Sequence, residues 1–134
     1  MVINYLAVFV AAVAAFVFGA AWYGALGKQW MAALGKTPEE CQAAGKQVPV
    51  VPMIISFVAE LVMAAMTAGI IRHFGDVSIK TGLIVGAACW LAFVATTVSV
   101  NNAYPGRKLA LTIIDSAHWL GVLLIIGAVI GAFG

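Results

Sequence analysis

Apolar residues fall into four long blocks, at about 3–26, 51–71, 79–100 and 109–133, divided by three polar interruptions. A helical crossing of a bilayer takes roughly 20 largely apolar residues. Each block therefore predicts one membrane span. The first ends in Trp22-Tyr23, an aromatic pair of the kind found at membrane surfaces. Pro49 and Pro52 mark the start of the second, and Pro105-Gly106 punctuates the turn before the fourth.

The longest interruption, residues 27–50, carries Lys28, Lys36, Lys46, Glu39 and Glu40. Within it Thr37-Pro38-Glu39-Glu40 reads as a helix start, with Thr37 as N-cap, Pro38 in the first turn and Glu40 as capping-box partner. It predicts a short amphipathic surface helix from about Pro38 to Ala44. Trp30, Met31 and Leu34, at helical spacing just before it, predict a segment resting on the headgroups. The expected fold class is an all-α integral membrane protein. It is a four-transmembrane-helix bundle forming a single membrane domain over 1–134.

Composition narrows the function classes. Of 134 residues, 64% are hydrophobic and 9% charged, and the mean hydropathy is +1.09. Soluble domains run near half apolar and a quarter charged, so a soluble globular domain and a disordered chain are excluded. The net charge is +2 and the seven Lys and Arg are scattered, which leaves no basic stripe for nucleic acid. The expected partner is the lipid bilayer. Cys41 and Cys89 form no CxxC spacing and indicate neither zinc nor a redox pair. The opening Met1-Val2-Ile3-Asn4-Tyr5 lacks the positive region of a signal peptide, so the first block is read as a retained span. No cofactor motif is present.

Positive charge sets the expected orientation. Loops 27–50 and 101–108 share one side and hold Lys28, Lys36, Lys46, Arg107 and Lys108, against Arg72 and Lys80 on the other. The five-cation side is expected to be cytoplasmic, with both termini outside.

Association of helices in lipid depends on close approach through small residues. Ala11, Ala15 and Gly19 make such a stripe on the first span, Gly82 and Gly86 on the third, and Gly127 and Gly131 on the fourth. Ala64 and Ala68 continue the face of Glu60 on the second. These stripes serve either packing within one chain or the seam of a homo-oligomer, with a dimer favoured.

Three ionisable residues interrupt the apolar blocks: Glu60, Asp115 and His118. An ionised carboxylate at mid-span costs about 2.5–3.5 kcal/mol on insertion scales, so such residues call for a partner or a use. Asp115, His118 and Trp119 stand at i, i+3 and i+4 and share a face with Thr112; Ser56 lies one turn before Glu60 and within reach of a hydrogen bond to it. Trp22, Tyr23, Thr96, Thr97, Asn101 and Asn102 fall in the same half of the bilayer and are the expected lining.

One reading is a proton or cation site formed by Glu60, Asp115 and His118 in a small carrier or channel subunit for an unidentified small solute or ion. Carboxylate and imidazole groups suit proton relays. The other is a polar clasp in a non-transporting scaffold or accessory protein, with Asp115 paired to His118. Asp-x-x-His is also half of a carboxylate metal motif, but one copy with one Glu assigns no metal. No catalytic residue is assigned. Ser116 and His118 point to different faces, and no phosphate loop, His-Glu-x-x-His or nucleophile elbow appears. His73 reads as a solvated histidine, Trp90 as a packing residue, and Asn4 as an interfacial polar group.

These residues also carry a resemblance. Asn4-Tyr5-Leu6-Ala7-Val8, Trp22-Tyr23-Gly24 and Lys28-Gln29-Trp30-Met31 resemble the start of a bacterial four-span membrane protein family, the domain of unknown function 1761. Phe93-Val94-Ala95-Thr96-Thr97, Asn101-Asn102, Arg107 and Ile114-Asp115-Ser116-Ala117-His118-Trp119 are similar to its later part. The resemblance implies four spans and a bacterial inner membrane. It carries over no activity.

Overall fold

A computed structural model describes residues 2–134. Five helices follow one another: α1 (Tyr5–Ala33), α2 (Pro38–Gly45), α3 (Val50–Phe74), α4 (Ile79–Ala103) and α5 (Leu109–Phe133). No strand occurs among the described residues. Four of the helices, α1, α3, α4 and α5, are long and apolar enough to cross a membrane. They form an up-and-down bundle in which α5 packs against all three others.

Local chemistry sets several of the ends. Asn4 is the N-cap of α1, its side chain accepting from the Ala7 N–H at 3.1 Å, a more defined role than an interfacial polar group. Ser78 caps α4 in the same way through the Thr81 N–H. Gly75 ends α3 in the left-handed conformation at φ 82°, which a Cβ would oppose. The expected capping box is present in α2: Thr37 Oγ1 accepts from the Glu40 N–H and the Glu40 carboxylate accepts from the Thr37 N–H, both at 3.2 Å.

One boundary departs from the sequence reading. Gly27–Ala33 continues α1 as helix instead of opening the loop. At about 1.5 Å per residue the 29-residue helix is roughly 43 Å long, well beyond a hydrocarbon core of about 30 Å. The excess is about two turns, and Trp30 turns inward against α5 instead of lying on the headgroups.

The bundle has two unlike halves. Toward the chain termini the core is apolar and tight, built from Val8, Ala11 and Ala15 of α1, Ala64, Ala68 and Ile71 of α3, Val85 of α4, and Val122, Ile126 and Ile130 of α5. There the small-residue stripes act within the chain. A Cβ on Gly82 would run into the backbone of Gly127, one on Gly127 into that of Gly82, one on Gly86 into Leu123, and one on Gly131 into Ser78. The two glycine pairs thus form an intrachain α4–α5 seam in which backbone meets backbone. Toward loops 34–49 and 104–108 the helices separate, and Tyr23, Glu60, Asp115 and His118 lie in that half. There α4 changes pitch: Trp90–Ala95 forms a π-helical stretch in mid-span.

Candidate functional site

The site is built on α5. Three indoles converge on one turn of it. Trp22 Nε1 of α1 donates to the Ile114 carbonyl at 3.2 Å, and Trp90 Nε1 of α4 donates to the Ser116 carbonyl at 2.7 Å. Trp30 Nε1, two turns beyond Trp22 on α1, donates to Asp115 Oδ1 at 3.1 Å. Tyr23 OH donates to the same oxygen at 2.6 Å. These four bonds fix the rotation of α5, and with it the directions of Asp115 and His118. The π-helical stretch begins at Trp90, where an added residue per turn re-aims side chains.

Asp115 therefore bonds across to α1, to Tyr23 and Trp30; the Asp115–His118 pair of the clasp reading is not the arrangement formed. His118 is buried and sits in an aromatic collar. Its ring stacks with Phe18 at a centroid distance of 6.1 Å and 9° between planes. Tyr23 lies at 4.9 Å, tilted, and Trp119 at 4.6 Å, edge-on. Gly19 leaves room for the imidazole: a Cβ there would stand 2.9 Å from His118 Nε2. His118 Nδ1 is buried without a hydrogen-bond partner among the described residues.

A cavity of about 470 Å³ opens beside this arrangement, between α1 and α3. Phe16, Gly19, Tyr23, Gly27, Trp30 and Met31 line it from α1, Pro52, Met53, Ser56 and Glu60 from α3, and His118 from α5. Because α1 and α3 run antiparallel, Trp30, Met31 and Pro49 stand at the loop end and Phe16, Gly19 and Glu60 at the inner end. From Phe16 to Met31 the α1 wall extends about 22 Å at about 1.5 Å per residue.

Glu60 closes the inner end. It lies ten residues into α3, roughly 15 Å along the axis, and only 2% of its surface is exposed. Its Oε2 has no hydrogen-bond partner among the described residues, so the Ser56 bond suggested by the spacing does not serve that oxygen. A buried polar atom without a partner is uncommon and calls for an explanation at the site.

The structure thus brings Glu60, His118, Tyr23 and Ser56 to one cavity, with Asp115 one hydrogen bond behind Tyr23. Trp119 joins through His118, and Trp22 braces α5 without lining the cavity. Other expected lining residues stand elsewhere. Thr96 and Thr97 are exposed and donate to the Ala92 and Phe93 carbonyls of their own helix. Asn101 is exposed, and Asn102 donates to Thr112 Oγ1 at 3.1 Å, tying α4 to α5 beyond the cavity. Among the described residues no group of three or more His, Cys, Asp or Glu is placed to hold a metal ion. The sequence pattern does not mark Trp30 as a site residue, because Lys28 and Gln29 break the apolar run. Yet Phe16, Gly19, Tyr23, Gly27 and Trp30 keep helical spacing, and that stripe was the available signal.

Fold and site define a four-span helical membrane protein with a half-polar bundle and an intramembrane carboxyl facing a cavity. The family described as "Protein of unknown function (DUF1761)" matches residues 6–131, and the chain belongs to it. Nothing matches among curated proteins or among solved structures.

Proposed function

We propose that the chain is a small carrier or channel subunit, linked to protons or cations, whose titratable site is made by Glu60, Asp115 and His118. One observation carries this reading: a buried carboxyl in mid-span with an unpartnered oxygen, at the closed end of a cavity. An ionised carboxylate at that depth costs about 2.5–3.5 kcal/mol. A clasp would offset that with hydrogen bonds to protein, as Asp115 does through Tyr23 and Trp30. Glu60 Oε2 has none, which suits a group that exchanges a proton or a ligand. The same reading places the chain in a bacterial inner membrane, with loops 27–50 and 101–108 cytoplasmic, and allows assembly as a homodimer.

The scaffold alternative draws support from the Asp115 bonds alone, and the two readings part at Glu60. In vesicles holding a pH dye, with an imposed inside-negative potential, the wild-type protein should admit protons. Glu60→Gln should keep the melting temperature within a few degrees and lose that uptake. Equal uptake by both proteins, with only the melting temperature changed, gives the residues to the scaffold reading.

A further inference from the structure

We propose that the cavity between α1 and α3 takes an amphipathic organic cation: an ammonium head at Glu60 and a compact aromatic or branched apolar body toward Trp30 and Met53. This rests on the reading of Glu60 as an exchanging site and specifies what it exchanges.

Size is the first argument. Small-molecule sites occupy about 300–1,000 Å³, and the cavity holds about 470 Å³. Its walls are the second. Phe16, Trp30, Met31, Pro52 and Met53 offer an apolar and aromatic surface, and Met adapts to irregular shapes. The third is charge. The ionisable groups in the lining are Glu60, His118 and Tyr23, and no Lys or Arg is among them. An ionised Glu60 therefore meets no Lys or Arg among the described residues of the lining. An anionic solute would meet the carboxylate uncompensated, whereas an ammonium group satisfies both charges. The fourth is the aromatic wall itself. Trp30 and Tyr23 pack edge-to-face at 5.5 Å, an aromatic surface that suits the apolar body of the ligand on the loop side of Glu60. Lys28, Lys36 and Lys46 are exposed on the loop side and do not line the cavity. With no lysine in the lining, the carboxylate governs the inner end.

The test uses three benzyl probes of similar shape: benzyltrimethylammonium, its neutral carbon isostere neopentylbenzene, and the phenylmethanesulfonate anion. Binding to the purified protein in nanodiscs is followed by calorimetry and by tryptophan fluorescence. The cation should bind saturably, tighter than the isostere, and the anion should not bind. Glu60→Gln should weaken the cation by about tenfold or more, since neutralising one partner of a desolvated charge pair costs at least that. Glu60→Asp keeps the charge and should retain part of the affinity, and the cation–isostere comparison needs no variant at all. Neopentylbenzene binding as tightly as the cation, or Glu60→Gln leaving the cation unaffected, overturns the proposal. If either occurs while Glu60-dependent proton uptake persists, the ligand class fails and the proton-linked site stands. If the uptake is absent as well, both fail.

Discussion

Asp115 shows how one carboxylate can be satisfied in a membrane bundle without a cation. Tyr23 OH and Trp30 Nε1 both donate to its Oδ1, at 2.6 and 3.1 Å, and bonds to a charged acceptor are stronger than neutral ones. Interhelical hydrogen bonds in membranes are worth about 0.6 kcal/mol on average, with the best near 1–2 kcal/mol. Tyr23→Phe should fall at the upper end, destabilising by about 1–2 kcal/mol. A double-mutant cycle with Asp115→Asn, read by unfolding in mild detergent, checks this: the two losses should be strongly non-additive. Gly19 makes a sharper single-site case. A Cβ there would stand 2.9 Å from His118 Nε2, so Gly19→Ala must push the imidazole within its collar of Phe18, Tyr23 and Trp119. The expected result is a modest loss of stability with a large loss of Glu60-dependent uptake, because His118 and Glu60 share the cavity.

At the scale of elements, α4 and α5 are joined by backbone contact, and this makes their glycines unequal to the others. Ala at Gly82 would strike the Gly127 backbone, which has no flexible end to move aside. Overpacking typically costs about 1–3 kcal/mol, and more where the backbone itself must shift; Gly82→Ala should exceed 3 kcal/mol or so by that reasoning. Gly69, inside α3, has nothing within 4 Å of its missing Cβ. Gly69→Ala should be neutral or stabilise by up to about 1 kcal/mol through helix propensity. Thermal melts of the two proteins side by side decide the matter.

The short helix α2 gives a pH prediction. Its capping bonds to Thr37, the backbone N–H first, hold the Glu40 carboxyl below its ordinary value of 4.5. A carboxyl depressed in the folded state stabilises above its unfolded pKa, and that support is lost as pH falls through the folded one. The protection of the α2 amides, their hydrogen exchange measured against the intrinsic rate at each pH, should therefore be full above pH 4.5 and decline below it. Glu40→Gln should remove the pH dependence.

Much of this was legible because membrane spans and caps are signalled locally. The four blocks, the Thr37 capping box and the glycine pairs each follow from spacing of a few residues. The site was only half legible. Glu60, Asp115 and His118 stand out as polar residues among apolar ones, but which partner each meets depends on how the helices rotate. That rotation is fixed by Trp22, Trp30 and Trp90 donating to residues 114–116 of α5, across as many as 92 positions of sequence. Nothing in the neighbourhood of an indole states which acceptor it will find. The threonines misled for the opposite reason. Thr96 and Thr97 satisfy themselves on the preceding turn, so a polar side chain on a span did not mean a polar lining.

The whole molecule divides into a sealed half and an open half, and the division has a direction. The sealed half, built on the Gly82–Gly127 seam and the alanines of α1 and α3, lies toward the termini. The cavity lies toward α2 and the 104–108 turn, the end that carries Lys28, Lys36, Lys46, Arg107 and Lys108. Lys108 Nζ reaches the Ala32 carbonyl at 3.4 Å, a cation at the C-terminal end of α1 where the helix dipole favours it. If positive loops remain on the cytoplasmic side, the cavity opens to the cytoplasm and Glu60 samples cytoplasmic solutes first. The two cysteines report this directly. Cys41 lies on α2, beyond the spans, and Cys89 lies inside α4 against the core. A membrane-impermeant maleimide should label Cys41 in inside-out vesicles and leave it unlabelled in right-side-out ones, with Cys41→Ser as the blank. The reverse pattern would turn the cavity outward, and its occupant would then be drawn from the external medium.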